Sequence, residues 1–335
     1  MHTKQTPIFC QDGKQTKSWR PSPGLGLALC VIFTGFSGSV LANQFCSQTA
    51  EITLKACLHE ARDDFLIARG KCVNLSDPVA RQECREEAQA DQEESRELCA
   101  EQRTARGEVC NLIGEERYDP DFSPANFVHP NQIGKSVSPN PYFPLVPGTR
   151  WVYRGGGERI IVRVTHKTKL IDGVTCRVLV DVVKEDGVEI EITGDWYAQD
   201  TQGNVWYCGE IARNFETFDG DRPEDPELVD IDGSWKAGRD GAKAGIIMFA
   251  APQVGVTYRE EIALGEAEDV AEVVSDTGTE SVPAASCNNN CVVTRNFTAI
   301  EPGAEEFKYY ALGVGPILEI DGEGGRVELI KVVTP

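Results

Sequence analysis

Six cysteines, Cys46, Cys57, Cys72, Cys84, Cys99 and Cys110, constrain this chain more than any other feature. Their successive spacings of 11, 15, 12, 15 and 11 read the same in both directions. Cys46 with Cys110, Cys57 with Cys99 and Cys72 with Cys84 each sum to 156, so the three pairs share a midpoint at residue 78. A shared midpoint marks an antiparallel hairpin, in which residues equidistant from the tip face each other. The tip residues agree. In "NLSDPVA", Ser76 or Asp77 suits a helix N-cap and Pro78 suits the first helical position, where the missing N–H has no partner to lose.

The expected helices span roughly 46–73 and 77–113. At 100° per residue, a step of 11 returns to within about 20° of the same face and a step of 15 to within about 60°. Each helix can therefore aim its three cysteines at its partner. Ala50, Leu54, Ala61, Phe65 and Ala68 continue the stripe on the first helix. The second helix offers Ala88 but also Asp91, Ser95, Gln102 and Arg106. Burial alone would hold it weakly, and three bridges, each worth about 2–4 kcal/mol, would make up the deficit. Metal ligation is the rival reading. The segment lacks CxxC and has His59 as its lone histidine, whereas tetrahedral sites need closer ligand pairs.

Disulfides imply export. Lys4, Lys14, Lys17 and Arg20 precede the apolar run "GLGLALCVIFTGFSGSVLA", and Val40-Leu41-Ala42 offers a cleavage site, so residues 1–42 read as a signal peptide. A lipoprotein box at Cys30 is disfavoured by the bulk of Leu29, and nineteen residues barely suffice for an uncleaved anchor. The formal net charge is -20; residues 1–42 carry four basic side chains and one acidic, so the remainder is near -23. Such a charge argues against nucleic acid and anionic membrane surfaces as partners. No stable membrane insertion is expected once the signal is removed.

Residues 116–148 are rich in proline, a linker whose Phe122, Phe127, Tyr142 and Phe143 are too apolar for a free tether. From 149 to 335 the period changes to two. Segments such as "RIIVRVTHKT", "VTCRVLVDVV", "VEIEITGDWYAQ", "GVTYREEIAL", "CVVTRNFTAI" and "RVELIKVV" read as strands, with turns at "KEDG", "DTQGN" and "DGEGG". Val174, Cys176, Val178, Val180 and Val182 share one strand face, with Thr175, Arg177 and Asp181 on the other. The fold class is α+β: a disulfide-stapled antiparallel helical hairpin (43–115) followed by an antiparallel β-barrel or strongly curved β-sheet. Cys287 is expected to pair with Cys291, and Cys176 with Cys208 on a neighbouring strand.

The ordered set "NPYFPLVPGTRWVY", "DWYAQDTQGNVWYCGE", "YREEIALGEAEDVAEV" and "KYYALGVGPILEI" resembles a family of exported bacterial β-domain proteins of uncharacterised function. The resemblance implies export and an antiparallel domain. It brings no reaction and no catalytic residues.

For chemistry, Trp196, Tyr197, Trp206, Tyr207, Tyr258, Tyr309 and Tyr310 are the candidate ligand-binding set, since aromatics on a curved sheet can line a pocket. Strand alternation prevents both members of Trp196–Tyr197 from facing inward. Asp219, Asp221, Asp230 and Asp232, in the acidic loop 218–233, are candidate calcium ligands without EF-hand spacing. Glu266, Glu268 and Asp269 read as solvent-facing. His59, His129 and His166 have no hydrolase motif around them, and Ser234 has no sequence-adjacent partner. The leading expectation is a non-catalytic envelope protein binding a small apolar or lipid-like ligand or an envelope protein. The alternatives are a calcium-dependent interaction protein and, third, a hydrolase. No cofactor is expected, apart from possible calcium.

Overall fold

A computed structural model describes residues 44–335. The signal-peptide assignment lies outside the described residues. Two helices, α1 (Phe45–Val73) and α2 (Pro78–Ile113), form the expected hairpin. Asp77 is the N-cap of α2: its carboxylate accepts the Ala80 N–H, and Pro78 takes the first turn. All three mirror-symmetric bridges are present, Cys46–Cys110, Cys57–Cys99 and Cys72–Cys84, with Cα separations of 5.6, 5.7 and 5.6 Å. What the helices bury between them is small. On α1 the buried residues are Ala50, Ala61 and Cys72, whereas Ile52, Leu66 and Ile67 are exposed.

The rest of the chain is antiparallel β-sheet. Its strands are β1 (Arg150–Gly155), β2 (Glu158–Ile171), β3 (Val174–Glu185), β4 (Val188–Gln199), β5 (Val205–Ile211), β6 (Asn214–Glu216), β7 (Glu227–Asp230) and β8 (Trp235–Lys236). They continue with β9 (Lys243–Met248), β10 (Thr257–Arg259), β11 (Glu261–Ile262), β12 (Asp269–Val282), β13 (Ala285–Thr298), β14 (Glu305–Ala311), β15 (Gly315–Asp321) and β16 (Arg326–Val333). The hydrogen-bonded order is β10-β12-β13-β14-β15-β16-β1-β2-β3-β4-β5-β9-β11. The two ends of that path, β10 and β11, are consecutive in the chain with only Glu260 between them. One bend of backbone thus nearly closes thirteen strands into a barrel. The segment "GVTYREEIAL" reads as one strand in sequence, but it breaks here because it serves both edges. Gly245 on β9 permits the approach: a Cβ there would fall 2.4 Å from the Arg259 carbonyl oxygen.

Turn chemistry sets the register. "KEDG" places Asp186 and Gly187 at φ +50° and +89°, the two left-handed positions of a tight turn between β3 and β4. The Pro-rich segment is no tether. Its Phe143 and Leu145 are fully buried, and the Phe143 ring lies 5.3 Å from Tyr197 inside the barrel. Cys176 on β3 and Cys208 on β5 do pair, but they are not on neighbouring strands: β4 lies between them in the sheet. Cys287 and Cys291 close their loop.

The valine-rich face of β3 also needs correcting as a guide to the core. From Arg177 onward the buried face carries Arg177, Leu179, Asp181 and Val183, while Val178, Val180 and Val182 are only half-buried. The barrel interior is partly polar, and the apolar alternation on β3 faces the outside.

Because α1 and α2 share so little apolar surface, the bridges dominate the hairpin's stability. Replacing Cys57 and Cys99 together by Ser removes the middle bridge without leaving a free thiol. It should lower hairpin stability by about 2–4 kcal/mol, read as an earlier loss of helical circular dichroism on heating. An unchanged midpoint would mean that side-chain burial is sufficient.

Candidate functional site

The root of the hairpin is tied down by residues that the helical pattern alone marks as weak. The start of α1 has no side-chain cap of its own; Gln44 makes none. Glu115, just after α2, supplies it instead. Its carbonyl accepts the Phe45 N–H at 3.0 Å, and its carboxylate accepts the Ser47 N–H at 2.9 Å as well as the Ser47 hydroxyl. The Ser47 bonds hold the Glu115 carboxyl below its ordinary range.

Arg106 on α2 reaches the barrel, and Gln102 bridges between Cys57 of α1 and the barrel. Arg106 Nε donates to Glu268 Oε2 at 2.8 Å and Nη2 to Oε1 at 2.7 Å, a two-pronged ion pair with both residues buried. Glu268 Oε1 also accepts the Gly265 N–H at 2.8 Å. Gln102 Nε2 donates to the Ile300 carbonyl at 2.8 Å. This corrects the solvent-facing reading of "GEAEDVAE": Glu266 is exposed, but Glu268 and Asp269 are buried. Below the hairpin, the Tyr118 hydroxyl donates to the Ala244 carbonyl at 2.9 Å, and Lys243 pairs with Asp119 at 2.6 Å.

These links border a solvent-open cavity of about 360 Å³ between hairpin and barrel. Its apolar wall comes from Phe45, Ile52, Val109, Ile113, Ile262 and Leu264. Its polar wall comes from Arg106, Arg117, Lys243 and Arg259 with Glu116 and Glu268. Four cations face two carboxylates, an inversion of the acidic balance of the whole chain. Burial pushes the Tyr118 phenol up to about 12, against the pull of the Arg259 charge. Burial also lowers the Arg259 guanidinium, although the Glu268 carboxylate favours its charged form.

None of the seven candidate aromatics lines this cavity. Tyr197 and Tyr207 face into the barrel and stack at 4.7 Å; Tyr207 donates to Asp195 at 2.8 Å. Tyr258 and Tyr310 are buried. Trp196 points outward, covered by Lys169 at 3.6 Å over its ring and by Lys236. Trp206 packs in an outer layer with Phe122 and Phe127 of the Pro-rich segment and donates to Asp200 at 2.9 Å. Tyr309 is half-buried. The alternation argument thus separates each Trp–Tyr pair between the inner face and a second layer.

The barrel interior gathers buried carboxyls: Asp181 and Asp195 on β3 and β4, Glu260 at the closure, and Glu319 beside Lys308. Burial raises the first two well above their ordinary values, and neighbouring carboxylates raise them further, Glu191 for Asp181 and Asp181 for Asp195. Burial lifts Glu260 to about 8, and it is held partly in check by Lys308. Asp181 and Asp195 are 2% and 0% exposed, so no substrate reaches them. The described histidines, His59, His129 and His166, are exposed. Ser234 Oγ exchanges bonds with the Ala212 backbone at 3.1 and 3.3 Å, a structural tie.

In the acidic loop, Asp219, Asp221 and Asp232 are exposed, and Asp230 on β7 accepts from the Asn214 side chain at 2.5 Å. Among the described residues no three His, Cys, Asp or Glu side chains come together in a way that could hold a metal ion. No described helix is long and apolar enough to cross a membrane. The fold therefore defines a class, a stapled helical hairpin on a nearly closed antiparallel barrel. Beyond that class, no family model, curated protein or solved structure matches the chain.

Two outcomes follow from this chemistry. Arg106→Ala strands the Glu268 carboxylate in a buried position and should cost about 3–5 kcal/mol, whereas the paired change Arg106→Met with Glu268→Gln should cost clearly less; thermal unfolding reads both. Equal losses would show that the charge is not what matters. For the interior acids the folded pKa values lie above the unfolded ones. Their contribution is fully present below about pH 4, the unfolded carboxyl range, and is lost as pH rises through the folded values, near 8 for Glu260. Urea unfolding should therefore show higher stability at pH 5 than at pH 8, and Asp181→Asn, which keeps the shape without the charge, should flatten the slope.

Proposed function

We propose that this is an exported, non-catalytic binding protein of the cell envelope, periplasmic or secreted, that holds a small apolar or lipid-like ligand between its hairpin and its barrel. The observation that carries this reading is the cavity at the hairpin root. Its volume of about 360 Å³ falls within the range of small-molecule sites, and one wall is aliphatic and aromatic while the other is polar. Pre-formation supports it too. Cys46–Cys110 and the Glu115 cap make the hairpin side rigid, and Arg106–Glu268 and Tyr118–Ala244 tie it to the barrel, so little ordering cost is left to binding.

Five disulfides favour an oxidising compartment. The motif resemblance to exported proteins points the same way and suggests no reaction. The sealed interior carboxyls and exposed histidines favour binding over catalysis.

The test uses the neutral fluorescent probe N-phenyl-1-naphthylamine with purified protein. Saturable enhancement is expected, and Thr49→Trp, which fills the cavity from α1, should weaken it by at least about tenfold, a change of roughly 1.4 kcal/mol. Absence of a saturable signal in the unsubstituted protein sinks the proposal.

A further inference from the structure

We infer that the cavity selects an anionic amphiphile, with a carboxylate head held at Arg259 and its tail laid along the hairpin root. The inference rests on the binding function proposed above and adds the class of ligand. Its first support is an unbalanced charge. Arg259 belongs to β10, one of the two strands that close the barrel, so its backbone is fixed where the sheet edges meet. The side chain is half-buried, yet among the described residues no hydrogen bond or ion pair joins its guanidinium to a carboxylate. Its Nε is buried without an acceptor. The Tyr118 ring lies 5.8 Å away, and the charges of Glu268 and Arg106 act on it in opposite directions.

The nearby acid is already committed. Both Glu268 oxygens accept from Arg106, and one also accepts the Gly265 N–H. Arg106 itself keeps one buried nitrogen, Nη1, without a partner. The remaining cations of the wall are differently placed: Lys243 is paired outward with Asp119, and Arg117 lies 3.5 Å over the Phe45 ring. A guanidinium that lines a cavity with no carboxylate bonded to it is a cation in search of an anion, and a planar carboxylate can meet its two terminal nitrogens with two parallel hydrogen bonds. Phe45, Ile52, Ile113 and Leu264 offer the tail an apolar path from that point. A cationic head leaves Arg259 as it is, and a neutral hydroxyl accepts from it without offsetting its charge.

The test displaces N-phenyl-1-naphthylamine with three ligands of one chain length: decanoate, 1-decanol and decyltrimethylammonium. Decanoate should compete at about tenfold lower concentration than 1-decanol, or better, with the cation weakest; tenfold corresponds to roughly 1.4 kcal/mol. Arg259→Met keeps much of the stem and removes the charge, so the ratio of decanoate to 1-decanol competing concentrations, measured against the probe's own affinity for that variant, should fall to about one. Equal competition by decanoate and 1-decanol, or a preference that survives Arg259→Met, overturns the anionic class and leaves the cavity's binding role standing. Failure of the probe to bind the unsubstituted protein overturns both. Should Arg259→Met not fold, Arg259→Lys takes its place: it keeps the charge and loses the fork, and the decanoate preference should fall without vanishing.

Discussion

The two-pronged pair between Arg106 and Glu268 is the contact on which the arrangement of hairpin and barrel depends. The hairpin buries little against the sheet. Beside the bond from Gln102 to the Ile300 carbonyl, it has one guanidinium, deep in the interface, facing one carboxylate whose oxygens are all but used up by it and by a backbone N–H. A buried pair of this kind is weak evidence for overall stability, because desolvation offsets much of the attraction. Its value lies in placement. A sliding apolar contact tolerates many registers, whereas a bidentate pair tolerates one. The hairpin root is thereby set at a fixed distance from the β9–β12 edge, and the space left between them is the cavity.

The barrel applies the same logic internally. A nearly closed sheet of this size has more interior than its apolar side chains fill, and here the remainder is taken by neutral carboxyls, tyrosines, Lys308 and Arg177 among other polar groups. Asp195 accepts from Tyr207, Glu260 accepts from Asn296 at 2.9 Å, and Lys308 pairs with Glu306 at 2.7 Å. Such groups are tolerable because burial keeps most of the acids protonated. The interior is thus filled by chemistry that depends on pH, and the ligand space lies outside it, at the junction with the hairpin.

How much of this was legible in the chain depends on the range of each interaction. The hairpin was readable because its cysteines encode distance from the tip arithmetically, and the Asp77–Pro78 start is a local signal. Barrel or curved sheet was readable from period two and from turns such as Asp186–Gly187. The orientation of β3 was not, because its Val178, Val180 and Val182 outscore its Arg177 and Asp181 on any apolar count, yet closure puts the polar face inside. The site was least legible. Arg106 and Gln102 look like defects in an amphipathic helix, and Glu268 looks like one of three surface acids. Only the fold brings residues 162 positions apart into contact. The aromatic set drew attention by residue type, but alternation and the Pro-rich segment absorb it into the inner and outer layers. A sign was available in retrospect: polar residues at expected interface positions of α2 mark a second partner for that helix.

The division of labour between covalent and ionic links also explains why a cavity persists where one would be expected to collapse. Packed interiors close voids when their walls are free to move, at the gain of dispersion contacts. Here the walls are not free. Cys46–Cys110 fixes the two helix ends at a Cα distance of 5.6 Å, Glu115 caps α1 from the far side, Arg106 fixes α2 to the barrel, and Tyr118 fixes the segment after α2 to β9. Each is directional, and none is apolar. A junction built from directional links has little to gain by shrinking and much to lose in broken geometry. It therefore keeps its space open, with Arg259 on one wall and an aliphatic surface on the other.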